Sequence, residues 1–219
     1  MKKCLSFLIC AAIFLQSVPV SASSSVIRSG NPDSMKIALT FDDGPHPYKT
    51  NVILDLLEQY GIRATFFVVG ENVSYYPEPL KRAIALGHEI GNHTYHHTPL
   101  SSSCEKTVAE EIEKTEEIIF QTAGYRTTLF RPPEGAFSER SLALLQKMGY
   151  RTVCWSFAYA DWDPANQMEH QKAFERITRN IHDGEIYLLH AVSETNTAIL
   201  SDVIDHVRNS GYTFEKYLP

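Results

Sequence analysis

Strand-like and helix-like patterns alternate along the chain from residue 36 to residue 214. The strand-like runs are short, apolar and rich in β-branched or aromatic residues, whereas the helix-like runs repeat apolar residues three or four positions apart. We predict strands at 36–41, 65–69, 89–92, 129–130, 152–157, 186–190 and 212–214, and helices at 48–60, 77–86, 105–123, 138–148, 167–181 and 195–210. This α/β order predicts about seven parallel strands covered by helices, either closed as a barrel or open as a doubly wound sheet.

The first 22 residues have the pattern of a secretory signal peptide. Two lysines open the chain, an apolar run follows at 5–15, and Val20-Ser21-Ala22 offers the small residues of a cleavage site. The apolar run has about 11 residues, too few to cross a bilayer as a helix. We therefore predict an exported, extracellular or cell-wall protein with a signal peptide at 1–22, a flexible arm at 23–34, one domain at 35–219 and no stable membrane span after cleavage. An uncleaved N-terminal anchor is the alternative.

The composition excludes one class of partner. The net charge is −6 at pH 7 and no stretch of the chain forms a basic patch, so we expect no nucleic acid partner. Beyond the leader, Cys104 and Cys154 are too few for a disulfide framework, although an exported protein could pair them. Cys154 lies in an apolar run, which is typical of a buried thiol. We expect a monomer.

Polar residues follow most of the predicted strands directly. They are Asp42 and Asp43 after the first strand, His93 and His97 after the third, Arg131 after the fourth, Asp161 and Trp162 after the fifth, and His190 at the end of the sixth. In either architecture the carboxyl ends of parallel strands share one edge, so these distant segments meet there. The convergence predicts an active site at that edge.

The stretch NHTYHH, residues 92–97, predicts a metal site. His93 and His97 stand four positions apart, so both imidazoles can face one point, and His96 is the rival to His97. Two imidazoles and one carboxylate form a set that leaves coordination positions open for water and substrate. A histidine-rich surface loop is the alternative.

Two adjacent carboxylates, Asp42 and Asp43, end the first predicted strand and repel each other. A cation bound to one of them would neutralise it, and a nearby Arg131 could hold the other ionised. The free carboxylate could then take a proton from a metal-activated water. These residues do not establish which aspartate has which role, and an ordinary Asp-Asp-Gly-Pro turn is the alternative.

The other polar candidates each allow an ordinary interpretation as well. Arg131 precedes two prolines that stiffen its loop, which suits a positioned backbone amide but also a surface turn. His190 suits a general acid whose pKa Asp161 raises, or a core histidine beside a loop turn. Trp162 and Tyr159 suit sugar stacking or rim packing. We interpret the histidines at 46, 88, 170, 182 and 206 as surface or loop residues.

Five short motifs resemble, in order, those of the polysaccharide deacetylases, carbohydrate esterase family four. They are TFDDGP, HTYHH, RPPEG, DW and LLH, at 40–45, 93–97, 131–135, 161–162 and 188–190. The resemblance spans 35–218 and implies a distorted (β/α) barrel that removes acetyl groups from N-acetylated sugars with a divalent metal, usually zinc. It implies that Asp43, His93 and His97 bind the metal, Asp42 is the base oriented by Arg131, His190 is the acid tuned by Asp161, and Pro133, Glu134, Gly135 and Trp162 bind substrate, with a backbone amide near Glu134 for the oxyanion.

Two longer segments, 154–162 and 184–214, resemble the muramic δ-lactam-forming deacetylases of spore-forming bacteria, which act on N-acetylmuramic acid in cortex peptidoglycan. Like those enzymes, the chain lacks the aspartate that many family members carry at the position of Ala158. It departs from them at Glu134, where they tend to carry arginine and most other members tyrosine. The expected partner is therefore peptidoglycan or a related N-acetylated glycan. The alternatives are N-acetylglucosamine polymers, O-acetyl or xylan esters, a metal phosphohydrolase and an inactive glycan-binding protein.

Overall fold

The structure, a computed structural model, describes residues 26–216. Within this range nine strands form one parallel sheet in the order β1-β6-β5-β4-β3-β2-β8-β7, and β9 pairs with the beginning of β2. The strands are β1 (Val26–Ile27), β2 (Lys36–Gly44), β3 (Thr65–Val68), β4 (Glu89–Asn92), β5 (Leu129–Phe130), β6 (Arg151–Val153), β7 (Phe157–Ala158), β8 (Ile186–His190) and β9 (Thr213–Glu215). The predicted signal peptide, 1–22, lies outside the described residues.

Seven α-helices accompany these strands in the described range. They are α1 (Lys49–Gln59), α2 (Gly70–Tyr75), α3 (Pro77–Ala85), α4 (Glu105–Ala123), α5 (Glu139–Lys147), α6 (His170–Thr178) and α7 (Glu194–Asn209). Six of them match the helices that periodicity predicts, to within three residues at each end. Ser138 caps α5 through a capping box with Ser141. None of these helices combines the length and the apolar character needed to cross a membrane.

The sheet curls into the distorted barrel that the resemblance implies. Val153 on β6 and Ile186 on β8 are separated by four strands in the sheet order, yet both belong to one interior cluster with Ala38, Phe67 and Leu129. Only a strongly curved sheet brings them together. A larger cluster lies between the outer face of the sheet and the helices, so most strands are buried on both sides and read as continuous apolar runs.

Three elements differ from the prediction. The run 152–157 is not one strand, because it is divided into β6 and β7 around Cys154, whose carbonyl accepts a hydrogen bond from the Arg131 side chain instead of from a neighbouring strand. The short helix α2 was not predicted. The sheet also begins earlier than expected: β1, inside the segment predicted as a flexible arm, pairs with β6.

Cys104 is exposed and Cys154 is buried, and both are free thiols, so the predicted buried thiol is confirmed.

Candidate active site

The two adjacent aspartates at the end of β2 reach the same cleft because the strand is irregular there. Asp42 pairs in register with His190 on β8, but the register with β3 shifts between Asp42 and Gly44. Asp43 occupies this bulge with a φ of 64°, in the left-handed region. Successive residues of a regular strand face opposite sides, so the bulge redirects Asp43 towards the side that Asp42 faces.

Asp42 is paired with a fully buried arginine. Arg131 Nη1 donates to Asp42 Oδ1 at 2.6 Å, and the exposed fractions of the two side chains are 0% and 2%. The guanidinium makes three further hydrogen bonds: Nη1 donates to Thr40 Oγ1, Nε donates to the carbonyl of Val153, and Nη2 donates to that of Cys154. Asp42 is therefore oriented by a charged donor that is itself fixed by its other hydrogen bonds.

Asp43, His93 and His97 form a cluster that could hold a metal ion. One ligand atom from each lies within 4.8 Å of the other two, with Asp43 Oδ1 3.5 Å from His93 Nε2 and 3.4 Å from His97 Nε2. Asp43 Oδ1 is buried without a hydrogen-bond partner, which is the state of a carboxylate oxygen built to face a cation. The donor set of two imidazoles and one carboxylate fits zinc or a similar divalent ion.

His93 is oriented by a contact behind the cluster. Its Nδ1 lies 2.7 Å from the carbonyl oxygen of Arg131, so Nδ1 carries the proton and Nε2 presents a lone pair to Asp43. The backbone N–H of Arg131 in turn donates to the carbonyl of Asn92 at the end of β4. Arg131 therefore contacts both halves of the site, Asp42 through its side chain and His93 through its main chain.

The charges around the cluster shift two pKa values. Burial alone would raise the pKa of Asp43, but the adjacent His93, with the nearby His190 and His97, lowers it to about 2. Burial, followed by the proximity of His93, lowers the pKa of His97. Both shifts favour the forms that bind a metal, an ionised carboxylate and a neutral imidazole.

The loop that carries His97 is fixed by a carboxylate of α4. Glu111 Oε2 accepts the backbone N–H groups of Tyr95 at 3.0 Å and His96 at 2.8 Å, and Oε1 lies 2.6 Å from His96 Nδ1. On the other side, the N–H groups of Gly70 and Glu71, at the start of α2, donate to carbonyls of the same loop. Since His96 is bound to Glu111, the geometry assigns the cluster position to its rival, His97.

His190 and Asp161 form a second pair on the opposite side of Asp43. Asp161 Oδ1 lies 2.7 Å from His190 Nδ1, and Asp161 Oδ2 accepts the backbone N–H of His190 at 2.8 Å. His190 Nε2 points at the cleft, 3.8 Å from Asp43 Oδ2. Burial would lower the pKa of His190, but the hydrogen bond and charge of Asp161 outweigh it and raise that pKa above its ordinary value.

The cluster and the two pairs surround one open cleft of about 370 Å³ at the carboxyl ends of the strands, with Arg131 and Asp161 buried behind its lining. Its lining includes Asp42, Asp43, His93, His97 and His190, together with Glu134, Trp155, Tyr159 and Trp162. Pro133 and Gly135 form the turn on either side of Glu134, and Gly135 packs closely on Trp155. Trp162 is 56% exposed, with its ring 6.1 Å from that of His190, so its face is open for contact with a ligand.

The sequence interpretation missed several residues that support the site. Glu111, Asn196 and Gln167 hold the loops of His97 and Asp161, and none of them follows a strand directly. Glu111 had a detectable signal, because it is a charged residue on the apolar face of α4 beside Val108 and Ile112. His88 lies in the loop before β4, in agreement with its interpretation as a surface or loop residue, but it is buried there: it is 4% exposed and accepts a hydrogen bond from the N–H of Ala64.

Comparison with known proteins identifies the family. The family model for polysaccharide deacetylase matches residues 29–153, more than half of the chain. The chain belongs to the polysaccharide deacetylase family. The family that five motifs predict is confirmed, and with it the class of enzyme, a deacetylating hydrolase.

Two related deacetylases differ in the sugar that their names give. Peptidoglycan-N-acetylmuramic acid deacetylase PdaA of Bacillus subtilis (strain 168) is 38% identical over 187 residues, or 85% of this chain and 71% of PdaA. The PdaA structure, a family 4 carbohydrate esterase, has a TM-score of 0.83 at 36% identity, over 88% of this chain and 83% of that one. The structure of the peptidoglycan N-acetylglucosamine deacetylase Bc1960 has a TM-score of 0.84 at 32% identity, over 91% of this chain and 94% of that one.

The family also contains an inactive member with this fold. A pseudoenzyme of carbohydrate esterase family four from Bacillus anthracis has a TM-score of 0.81 at 25% identity, over 86% of this chain and 66% of its own. In this polysaccharide deacetylase family, activity therefore depends on the residues of the cleft and not on the fold alone.

Proposed function

We propose that this polysaccharide deacetylase is an exported, metal-dependent enzyme that removes acetyl groups from the N-acetylated sugars of peptidoglycan, with N-acetylmuramic acid as the substrate. The observation that carries the proposal is the arrangement of three charged groups around one cleft: the Asp43–His93–His97 cluster, the Asp42–Arg131 pair and the Asp161–His190 pair. Amide hydrolysis needs an activated water, a base and an acid, and each of these groups suits one of those tasks.

Asp43, His93 and His97 would hold the divalent metal, for which zinc is the first candidate. A cation there polarises the acetyl carbonyl and lowers the pKa of a water molecule, so that hydrolysis can proceed near neutral pH. Asp42 would be the general base. Its Oδ2 lies 3.8 Å from His93 Nε2, which places it beside the metal ligands, while Arg131 Nη1 donates to Oδ1.

His190 would donate the proton that the leaving amine needs. Its Nδ1 is bound to Asp161, so the ring is oriented with Nε2 towards the cleft, and Asp161 favours the protonated imidazolium. The carbonyl oxygen, which becomes negative during attack, needs a donor. Gly135 and Ala136 use their backbone N–H groups within the turn, so the amide of Glu134 is the group that we assign to this role.

The similarity to PdaA supports N-acetylmuramic acid as the substrate, and the similarity to Bc1960 supports N-acetylglucosamine. One feature of the cleft favours the second candidate. The exposed carboxylate of Glu134 lines the cleft, and muramic acid carries a lactyl carboxylate that would be repelled by it. The complete set of charged groups argues against an inactive glycan-binding protein.

The test measures acetate release by the purified chain, with and without a chelator, on two substrates. One substrate is peptidoglycan strands freed of their peptides, and the other is an N-acetylglucosamine oligomer. Chelator-sensitive acetate release from muramic residues is the expected result. Acetate release only from the glucosamine oligomer would support the proposed reaction but contradict N-acetylmuramic acid as its substrate. No acetate release from either substrate with added zinc would contradict the proposed deacetylase activity.

Glu134→Gln tests the effect of that carboxylate on the choice of sugar. We expect the ratio of kcat/KM on muramic acid to that on glucosamine to rise about two- to fivefold, because an exposed charge interaction contributes about 0.5–1 kcal/mol. Glu139→Gln removes an acidic residue from the first turn of α5, outside the cleft lining, and serves as the control. An unchanged ratio in Glu134→Gln would mean that Glu134 does not affect substrate choice.

A further inference from the structure

A buried amide lies directly behind the Asp161–His190 pair. Asn196, in the first turn of α7, is 1% exposed and lies outside the cleft lining. Its Nδ2 donates to Asp161 Oδ2 and also lies 3.3 Å from the carbonyl oxygen of His190. Its Oδ1 accepts the hydroxyl proton of Tyr159. This amide therefore contacts both members of the pair without reaching the cleft.

The orientation of the amide follows from its partners. An ionised carboxylate can only accept hydrogen bonds, so the NH2 side of Asn196 must face Asp161, and the Tyr159 hydroxyl then donates to the remaining oxygen. The two oxygens of Asp161 are consequently assigned: Oδ1 to His190 Nδ1, and Oδ2 to the backbone N–H of His190 and the amide of Asn196. Each oxygen has its own donors, which fixes the plane of the carboxylate.

The segment that carries Asn196 is itself held in place. The backbone N–H of Asn196 donates to Ser193 Oγ, and Ser193 Oγ donates to Gln167 Oε1. The amide nitrogen of Gln167 donates to the carbonyl of Asp161 at 3.0 Å. The start of α7 and the loop after β7 are therefore joined by a chain of polar contacts, and Asn196 links that chain to the Asp161 carboxylate.

We propose that Asn196 is a positioning residue for the Asp161–His190 pair. By donating to Asp161 Oδ2 it keeps Oδ1 directed at His190 Nδ1, and this holds His190 Nε2 towards the cleft. The inference rests on the proposed function, in which His190 protonates the leaving amine. Because Asn196 is buried behind the pair, its loss should impair the proton transfer while the binding of the sugar is unaffected.

The experiment compares Asn196→Ala with Thr195→Val in the full chain loaded with zinc. Thr195 is the neighbouring buried residue of α7, and its hydroxyl donates to the carbonyl of Met168 without contacting Asp161 or His190. We expect Asn196→Ala to lower kcat roughly 10- to 100-fold with KM and zinc content unchanged, since misplacement of a reacting group by about 1 Å has this effect. Thr195→Val should keep the kcat of the unmutated chain.

A second variant and a spectroscopic measurement keep the proposal testable if Asn196→Ala does not fold. Tyr159→Phe retains the ring but removes the hydroxyl that fixes the Asn196 amide, so we expect a smaller fall in kcat at unchanged KM. Proton NMR of selectively labelled histidine should show the His190 Nδ1–H signal shifted in both variants and unshifted in Thr195→Val.

Each outcome bears on one proposal. A kcat in Asn196→Ala close to that of Thr195→Val, or an unshifted Nδ1–H signal, would overturn the positioning role of Asn196. No acetate release by the unmutated chain in the same assay would instead overturn the proposed function, and the NMR comparison would still report on the contact between Asn196 and the pair.

Discussion

At the scale of single residues, the two adjacent carboxylates of β2 are tolerated because each has its own set of partners. Asp42 is paired with Arg131, and Asp43 faces the histidine cluster. Because of the bulge at Asp43, both carboxylates face the cleft although they belong to consecutive residues of one strand. A cation on Asp43 would reduce their mutual repulsion further. The separation of charges also separates the two roles that we propose, a metal ligand and a base.

Asp42→Asn should therefore remove turnover without removing the metal. The amide oxygen can still accept from Arg131 Nη1, so the fold and the ligand set remain, but an amide cannot take up a proton. We expect kcat to fall about 10²- to 10⁴-fold, the usual contribution of a general base. Zinc content, measured by atomic absorption, should equal that of the unmutated chain. Turnover at the original rate would assign the base to another group.

His88, which lies outside the cleft lining, gives the molecule a pH-dependent stability of its own. Burial, followed by the charge of Arg63, lowers the pKa of His88 to about 4 from its ordinary 6.5. Between these values the unfolded chain binds more protons than the folded one, so the free energy of unfolding decreases as the pH falls from 6.5 to about 4. Below about pH 4, the titration of His88 lowers the free energy of unfolding no further.

We expect His88→Gln to reduce the slope of stability against pH in that window. Glutamine can still accept the N–H of Ala64 but does not titrate. The measurement is urea unfolding in the presence of a chelator at several pH values between 6.5 and 4. His170→Gln, at an exposed histidine, is the control and should keep the slope. Equal slopes for His88→Gln and the unmutated chain would contradict the assignment.

The residues that could be predicted from the sequence are those adjacent to strand ends in the chain. Asp42, Asp43, Arg131 and His190 are placed at one end of the sheet by topology alone; in the structure the two aspartates and His190 line the cleft, and Arg131 is buried behind Asp42. The supporting residues could not be found in this way. Asn196 is 35 residues from Asp161 in sequence, and no local pattern indicates that α7 begins beneath that carboxylate.

At the scale of elements, α4 contributes to the site through one buried carboxylate. Glu111 accepts two backbone N–H groups and a histidine proton from the loop of His97. Burial alone would raise the pKa of Glu111, but the hydrogen bonds from His96 keep it below its ordinary value. Both Thr94 and His97 in this loop have positive φ angles, a costly conformation that these contacts maintain.

Glu111→Gln should weaken metal binding. A neutral amide is a poorer acceptor for backbone N–H groups, so the loop can relax and His97 moves away from Asp43. We expect the zinc dissociation constant to rise about 10-fold, at the lower end of the effect of residues that orient ligands. The dissociation constant is measured by titrating the metal-free chain with zinc in competition with a chromophoric chelator.

Glu110→Gln is the matched control, because Glu110 is exposed on the same helix and pairs with Lys106 across one turn. Its zinc affinity should equal that of the unmutated chain. If Glu111→Gln also bound zinc with unchanged affinity, the loop would be held by the N–H groups of Gly70 and Glu71 alone.

The helices and strands could be predicted where hydrophobic periodicity dominates. The bounds of α4 match the predicted helix, and the start of α6 is later than predicted because Glu169 caps it with its side chain. Elements formed by tertiary contacts were missed. The six-residue α2 is too short to show periodicity, and β7 is separated from β6 where Arg131 binds backbone carbonyls.

At the scale of the whole molecule, the curved parallel sheet places every proposed catalytic group at one end of the barrel. The order β5-β4-β3-β2-β8 brings Arg131, the loop of His93, the aspartates and His190 to neighbouring strand ends. The groups are thus contributed by segments that are distant in sequence and that depend on the fold to meet. A metal bound to Asp43, His93 and His97 would join the ends of β2 and β4, and would therefore stabilise the folded molecule.

Metal loading should raise the thermal stability of the chain for this reason. A ligand that binds only the folded state at 100 times its dissociation constant stabilises that state by about 2.7 kcal/mol. For a domain of this size we expect the Tm to rise by roughly 5–10 °C when zinc is added to chelator-treated protein. His93→Ala should abolish the rise, whereas His170→Ala, at an exposed histidine outside the cluster, should keep it. A rise that persists in His93→Ala would place the stabilising ion elsewhere on the molecule, and the cluster would lose its proposed role.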